Sequence, residues 1–143
     1  MAPNVEPENE PGSGPTGVGS PLPLLAVALV VGVYAMAPGI YLGGLHVKPG
    51  AEIVDHVVPG VAVIAMVAVC LSSGVRSVAV MAYSGVVVLL AGLWMVLTHI
   101  GLFRQAAGGQ VSWGPAGYHC STATLVFLVG LTWVWRYRRG LSD

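Results

Sequence analysis

Charge is what this sequence has least of. Its 143 residues include six Lys and Arg and six Asp and Glu, 8% in all, with a formal net charge of zero. A soluble globular domain carries roughly 25% charged residues. A chain this poor in charge cannot cover a water-facing surface. The lack of a basic excess argues against nucleic acid as a partner, since the phosphate backbone is met by Lys and Arg. Cysteine is almost as scarce. Cys70 and Cys120 stand alone, and neither lies in a CxxC, so no dithiol redox chemistry is signalled. No glycine-rich phosphate loop, no nucleophile–base pair and no charge in the middle of an apolar run is present. The expectation is a protein that is not an enzyme and that needs no cofactor.

What is present is apolar surface, 55% of the residues, gathered in blocks. Four runs cover about 22–45, 54–74, 77–101 and 119–136. Each is near the ~20 residues that carry a helix across ~30 Å of hydrocarbon. Backbone groups in lipid must be satisfied internally, so helices are expected. Pro23 and Pro59 fall in first turns, where a missing N–H is harmless. Pro38-Gly39 interrupts the end of the first run. Residues 1–21 carry Glu6, Glu8 and Glu10 among prolines and glycines, with no apolar periodicity, and read as a disordered tail. Residues 22–140 then form one transmembrane domain. Pro38 directly after Ala35-Met36-Ala37 disfavours cleavage there, so the first helix reads as uncleaved.

Four spans put both termini on one side. That side collects Arg76, Arg136, Arg138 and Arg139, and the other only Lys48 and Arg104. Positive charge favours the cytoplasm, so a multi-pass protein of the cell membrane with cytoplasmic termini is expected. Trp133, Trp135 and Tyr137 read as an interfacial belt on that side, with Tyr41, Phe103, Trp113 and Tyr118 at the other. Gly39 and Gly43 form a GxxxG, a pattern that lets helices approach closely within a chain or between copies.

Two stretches resemble each other at an interval of about sixty residues: Gly32-Val33-Tyr34 and Gly92-Leu93-Trp94, each late in an apolar run and followed by a polar loop and a second run. The pattern predicts two helix-hairpin repeats and an all-α, four-helix integral membrane bundle. It resembles the SPW-repeat family of integral membrane proteins, whose unit ends its first helix in Gly-Leu-Trp-x-x-x-Ser-Pro-Trp and opens its second with Asn and a later Gly. In the second unit Thr98 stands for Ser, His99 for Pro and Ile100 for Trp. In the first, Tyr34 stands for Trp and Pro38 lies one residue early. Asp55 to Gly60 fits the second-helix opening, with Asp55 for Asn, whereas Tyr118 to Ala123 fits it poorly. The resemblance covers about 22–136. It implies two repeats and four helices, and no catalytic residues.

One constellation carries chemistry. His46 follows the first run, His56 opens the second, His99 closes the third and His119 opens the fourth. All four fall at the non-cytoplasmic level, with Glu52, Asp55 and Cys120. Imidazoles at one level of a bundle can bind Zn²⁺ or Cu²⁺, a facing pair can hold a haem, and a cluster can sense pH. The plainer reading is polar residues at helix ends near an interface, since no pair has the i, i+4 spacing of a helical metal site. Asp55 is expected to cap the second helix.

Three function classes follow. The first is a non-enzymatic scaffold or accessory subunit in the lipid bilayer, as a homo-oligomer or with another membrane protein. The second is an oligomeric transport module with Tyr83, Ser84 and Thr98 on its path. The third is a metal- or haem-binding protein built on the histidine layer. The 102–118 segment reads as the longest connection, with Trp113 available to a partner or as an anchor.

Overall fold

The computed structural model describes residues 20–40, 49–73 and 77–138. The tail, His46, Lys48, Tyr41, Gly43, Arg76 and Arg139 lie outside them. The described chain is all helix: α1 (Leu22–Ile40), a single turn α2 (Pro49–Glu52), a π-helical turn (Ile53–Val57), α3 (Val58–Ser72), α4 (Val78–Ala107) and α5 (Trp113–Tyr137). Three helices are long and apolar enough to cross a membrane: Ile53–Ser72, Val78–Ala107 and Trp113–Tyr137. The apolar stretch of α1, Leu22–Ala37, is shorter. Exposed Leu22, Val30, Leu90, Leu97 and Leu128 give the outside an apolar coat that fits hydrocarbon.

The helices form a ring. α1 packs on α3 and α5, and α4 packs on the same two, so α1 faces α4 and α3 faces α5 across diagonals. The α4–α5 contact is the most extensive. Its cause is glycine at the crossing. A side chain at Gly92 would strike the Phe127 backbone, and one at Gly130 the Leu89 backbone. Small residues at such crossings are how helices gain contact without a hydrophobic drive. The close approaches thus use Gly92, Gly130 and Gly60, whose missing Cβ would meet Met36.

Inward positions recur every three and four residues. They are His56, Gly60, Val63, Val67 and Cys70 before and along α3. They are Met81, Gly85, Val88, Gly92, Met95 and His99 on α4. They are Ala116, His119, Ala123, Val126, Gly130, Trp133 and Tyr137 on α5. This spacing of three and four residues is that of a helix-bundle seam. Steps of seven residues along the seam lead from His56, His99 and His119 to Val63, Gly92 and Val126 and then to Cys70, Gly85 and Trp133.

Several sequence expectations change here. α4 runs to Ala107 and α5 starts at Trp113, so most of the expected 102–118 loop is helix. The backbone stays hydrogen-bonded beyond the apolar run, and the turn is confined to Gly108–Ser112, with Gly109 at φ 72°. Ser77 caps α4 by accepting from the Val80 N–H at 3.2 Å. Asp55 caps nothing: the helix continues upstream through it, and the residue before α3 is Val57 in helical geometry with no side-chain cap. Pro59 has no N–H for the carbonyl four residues earlier, that of Asp55, and its ring crowds that oxygen. The widened π turn just upstream accommodates this. Trp133 and Tyr137 are buried at the seam, and only Trp135 of that expected belt faces outward. Tyr83 and Thr98 face outward while Ser84 is buried, so the three do not line one path.

Candidate metal centre

The seam positions bring three of the four predicted histidines together. His56 is fully buried, and His99 and His119 are exposed by 7% and 9%. One nitrogen from each ring points to a common space, and the three ligand atoms lie within 4.8 Å of one another. His56 Nε2 is 2.9 Å from His99 Nε2 and 2.9 Å from His119 Nδ1. The His56 ring stands edge-on to both others, at 70° and 72°. His99 and His119 lie only 31° from parallel, with centroids 5.8 Å apart. His56 therefore enters from the π turn between two rings carried by α4 and α5.

The tautomer of His99 follows from its neighbours. Its Nδ1 is 2.6 Å from the carbonyl oxygen of Met95, one turn earlier. A carbonyl only accepts, so Nδ1 carries the proton and donates. In the neutral ring Nε2 is then a lone pair aimed at the cluster. Thr98 donates to the same carbonyl at 3.1 Å and sits 3.1 Å from Nδ1, which fixes the ring further. A metal-ligating histidine typically has this outer hydrogen bond to a backbone carbonyl. On the opposite side, the backbone of Ala35 on α1 is a hydrogen-bond partner of His56. Tyr34 stacks edge-on with Tyr118 at 5.3 Å and reaches Ser121 at 3.4 Å, tying α1 to α5 at the same level.

Proton counting shows how these three nitrogens could receive a cation. His99 Nε2 presents a lone pair. If His56 Nε2 carries a proton, one hydrogen must serve two neighbours at 2.9 Å. If it does not, two lone pairs face each other at that distance. A cation at the common point satisfies all three. At metal–nitrogen distances of about 2.0–2.1 Å, three ligands stand about 3.3–3.6 Å apart. Small ring movements reach that spacing, since two of the separations are below it and the third is at most 4.8 Å.

Of the rest of the expected layer, His46 and the side chain of Glu52 lie outside the described residues, and Asp55 and Cys120 do not join. Asp55 is half-buried and its carboxylate is not among the converging atoms. Cys120 follows His119 but points elsewhere. It lines, with His99, Ile100 and Phe103, an outward-facing apolar groove of about 140 Å³ between α4 and α5. Cys70 and Cys120 are both free thiols. Trp113 is exposed and stacks edge-on with Phe103 at 5.7 Å. The i, i+4 criterion misses the centre because each ligand comes from a different helix. The signal that finds it is the heptad seam: each histidine lies a multiple of seven residues from a buried apolar or small residue on its own helix.

No protein-family model matches this chain, and no curated protein or solved structure matches it.

Proposed function

We propose that this chain is a small multi-pass membrane protein whose bundle holds one d-block cation on His56, His99 and His119. The observation that carries the reading is the convergence of three imidazole nitrogens in a buried layer, one of them held as a lone-pair donor by Met95. Buried polar groups are normally paired. The lone pair that His99 aims at the other two rings suits a positive charge. This favours the metal-binding reading over a scaffold without a ligand, and it asks for no reaction. The lipid bilayer is the partner that fits the apolar coat. The arginine distribution supports cytoplasmic termini, with the centre toward the opposite interface.

Duplication of a helix hairpin, of the SPW-repeat kind, is part of the same reading. Its support is a pair of matching contacts. A Cβ on Gly32 would meet Val63 and Ile64, and one on Gly92 would meet Val126 and Phe127. The glycines are sixty residues apart and their partners sixty-three, as are His56 and His119. His99 is the ligand that breaks the symmetry, because Gly39 occupies the corresponding place in the first unit.

The test is thermal unfolding of the purified chain in mild detergent, with and without added Zn²⁺ or copper. An ion that binds only the folded state raises Tm. The expected result is a rise in the wild type that is lost in His99→Leu and in His119→Leu. Equal shifts in wild type and variants would remove the reading.

A further inference from the structure

We propose that the groove between α1 and α5 binds one anionic phospholipid, with an acyl chain along its walls and the phosphate on Arg136. The inference rests on the membrane reading and is independent of the metal centre. The ring of helices closes unevenly, and its α1–α5 contact is the least extensive of the four. Gly92 and Gly130 draw α4 and α5 together, whereas Gly32 of α1 is turned to Val63 and Ile64 of α3. Towards α5, α1 presents Val27 and Val31, and branched side chains do not allow the close approach that glycines do. A groove of about 390 Å³ remains between the two helices. It faces outward, since Val27, Leu125 and Leu128 on its walls are exposed.

The walls are apolar and one end is charged. Thr132 brings a hydroxyl to the groove, and it donates to the carbonyl of Leu128 at 2.8 Å. Arg136 lines the groove one turn further on. Its Nη2 donates to the Ser20 carbonyl at 3.0 Å. Ser20 precedes α1 and Arg136 belongs to the last turn of α5, so the cation is held at the level where both helices end. From Leu125 to Arg136 the helix rises about 16 Å, roughly one leaflet of a ~30 Å hydrocarbon core. A cation at the interface with an apolar slot running one leaflet inward matches a phosphodiester and its acyl chain. The arginine distribution assigns this end to the cytoplasmic leaflet, where anionic lipids gather at basic pockets between helices. The acidic stretch before Ser20 brings Glu6, Glu8 and Glu10 but few apolar side chains to fill such a slot.

The experiment has two steps. Carbonate washing of membranes from cells expressing the full chain tests the membrane reading first. Release into water would end that reading and this inference with it. The chain in mild detergent is then titrated with phosphatidylglycerol or with phosphatidylcholine of the same acyl chains, and bound lipid is counted by native mass spectrometry. The expected result is one phosphatidylglycerol per chain, held in preference to phosphatidylcholine. Arg136→Gln should weaken it by about tenfold or more, the range of a hydrogen bond to a charged group. Arg138→Gln should change it far less, because Arg138 folds back on Trp135 at the same end and does not line the groove. Val27→Trp, at an exposed position on the groove wall, should reduce the binding of both lipids. Equal uptake of the two lipids by a membrane-embedded wild type, or equal losses in Arg136→Gln and Arg138→Gln, would overturn the inference and leave the membrane reading standing. Phosphatidylglycerol that binds only after Glu6, Glu8 and Glu10 are replaced by Gln would give Arg136 to the tail and overturn it too. So would a dimer that Val27→Trp disrupts in a chain holding no phosphatidylglycerol.

Discussion

The two ends of this bundle use the same three seam positions and fill them in opposite ways. Two heptads from His56, His99 and His119 lie Cys70, Gly85 and Trp133. At that end one large ring packs into the space a glycine leaves: a Cβ on Gly85 would come within 2.8 Å of Trp133 Cδ1. The Cys70 thiol lies beside the Ser84 hydroxyl. Large-against-small packing closes that layer with few polar groups. At the histidine end three polar rings of similar size share one layer, and their nitrogens meet. The Trp133 layer shows that this backbone can fill such a level without imidazoles. Packing alone therefore does not call for the three histidines, and the proposed ion would account for them.

The comparison can be broken from either end. The largest effect is expected at the packing end. Trp133→Ala should destabilise the bundle by about 3–5 kcal/mol through lost burial and a cavity, read as a lower denaturant midpoint with metal binding retained wherever the chain remains folded. Gly85→Ala should cost about 1–3 kcal/mol, because the added carbon meets the indole. A smaller change in stability is expected when the histidine layer is made apolar throughout. The triple variant His56→Leu, His99→Leu, His119→Leu should unfold no more easily than the metal-free wild type, since replacing a buried polar set by apolar groups of similar volume is often neutral or stabilising. It should bind no ion. A triple variant that fails to fold would mean the rings are structural. Asp55→Ala should change stability by less than about 0.5 kcal/mol, against the ~1 kcal/mol typical of a lost N-cap, because Asp55 lies within continuous helix.

How much of this was legible in the residues depends on the scale of the pattern. Helices at 22, 54 and 77 are legible because apolar runs of that length have one stable form in lipid. The ends are less so. Arg104 and Gln105 carry α4 past its apolar run, and Trp113 to Tyr118 start α5 before its own, because polar residues at an interface remain good helix formers. Asp55 misleads because a lone carboxylate before a run looks like a cap, while Pro59 four residues later governs the local backbone. Trp133 and Tyr137 mislead because aromatics beside arginines suit an interface, yet their spacing from Val126 and Gly130 is that of the seam. The histidines are legible as one level of the bundle. That three of them face inward is a question of helix rotation, which only the seven-residue spacing encodes.

The most direct measurement is bound metal per chain after equilibrium dialysis of the wild type and the triple leucine variant, in the same detergent, against Cu(I) and against Zn²⁺. The account predicts one ion per wild-type chain and none on the variant. A folded wild-type chain that takes up neither ion, or a variant that takes up as much as the wild type, would contradict it.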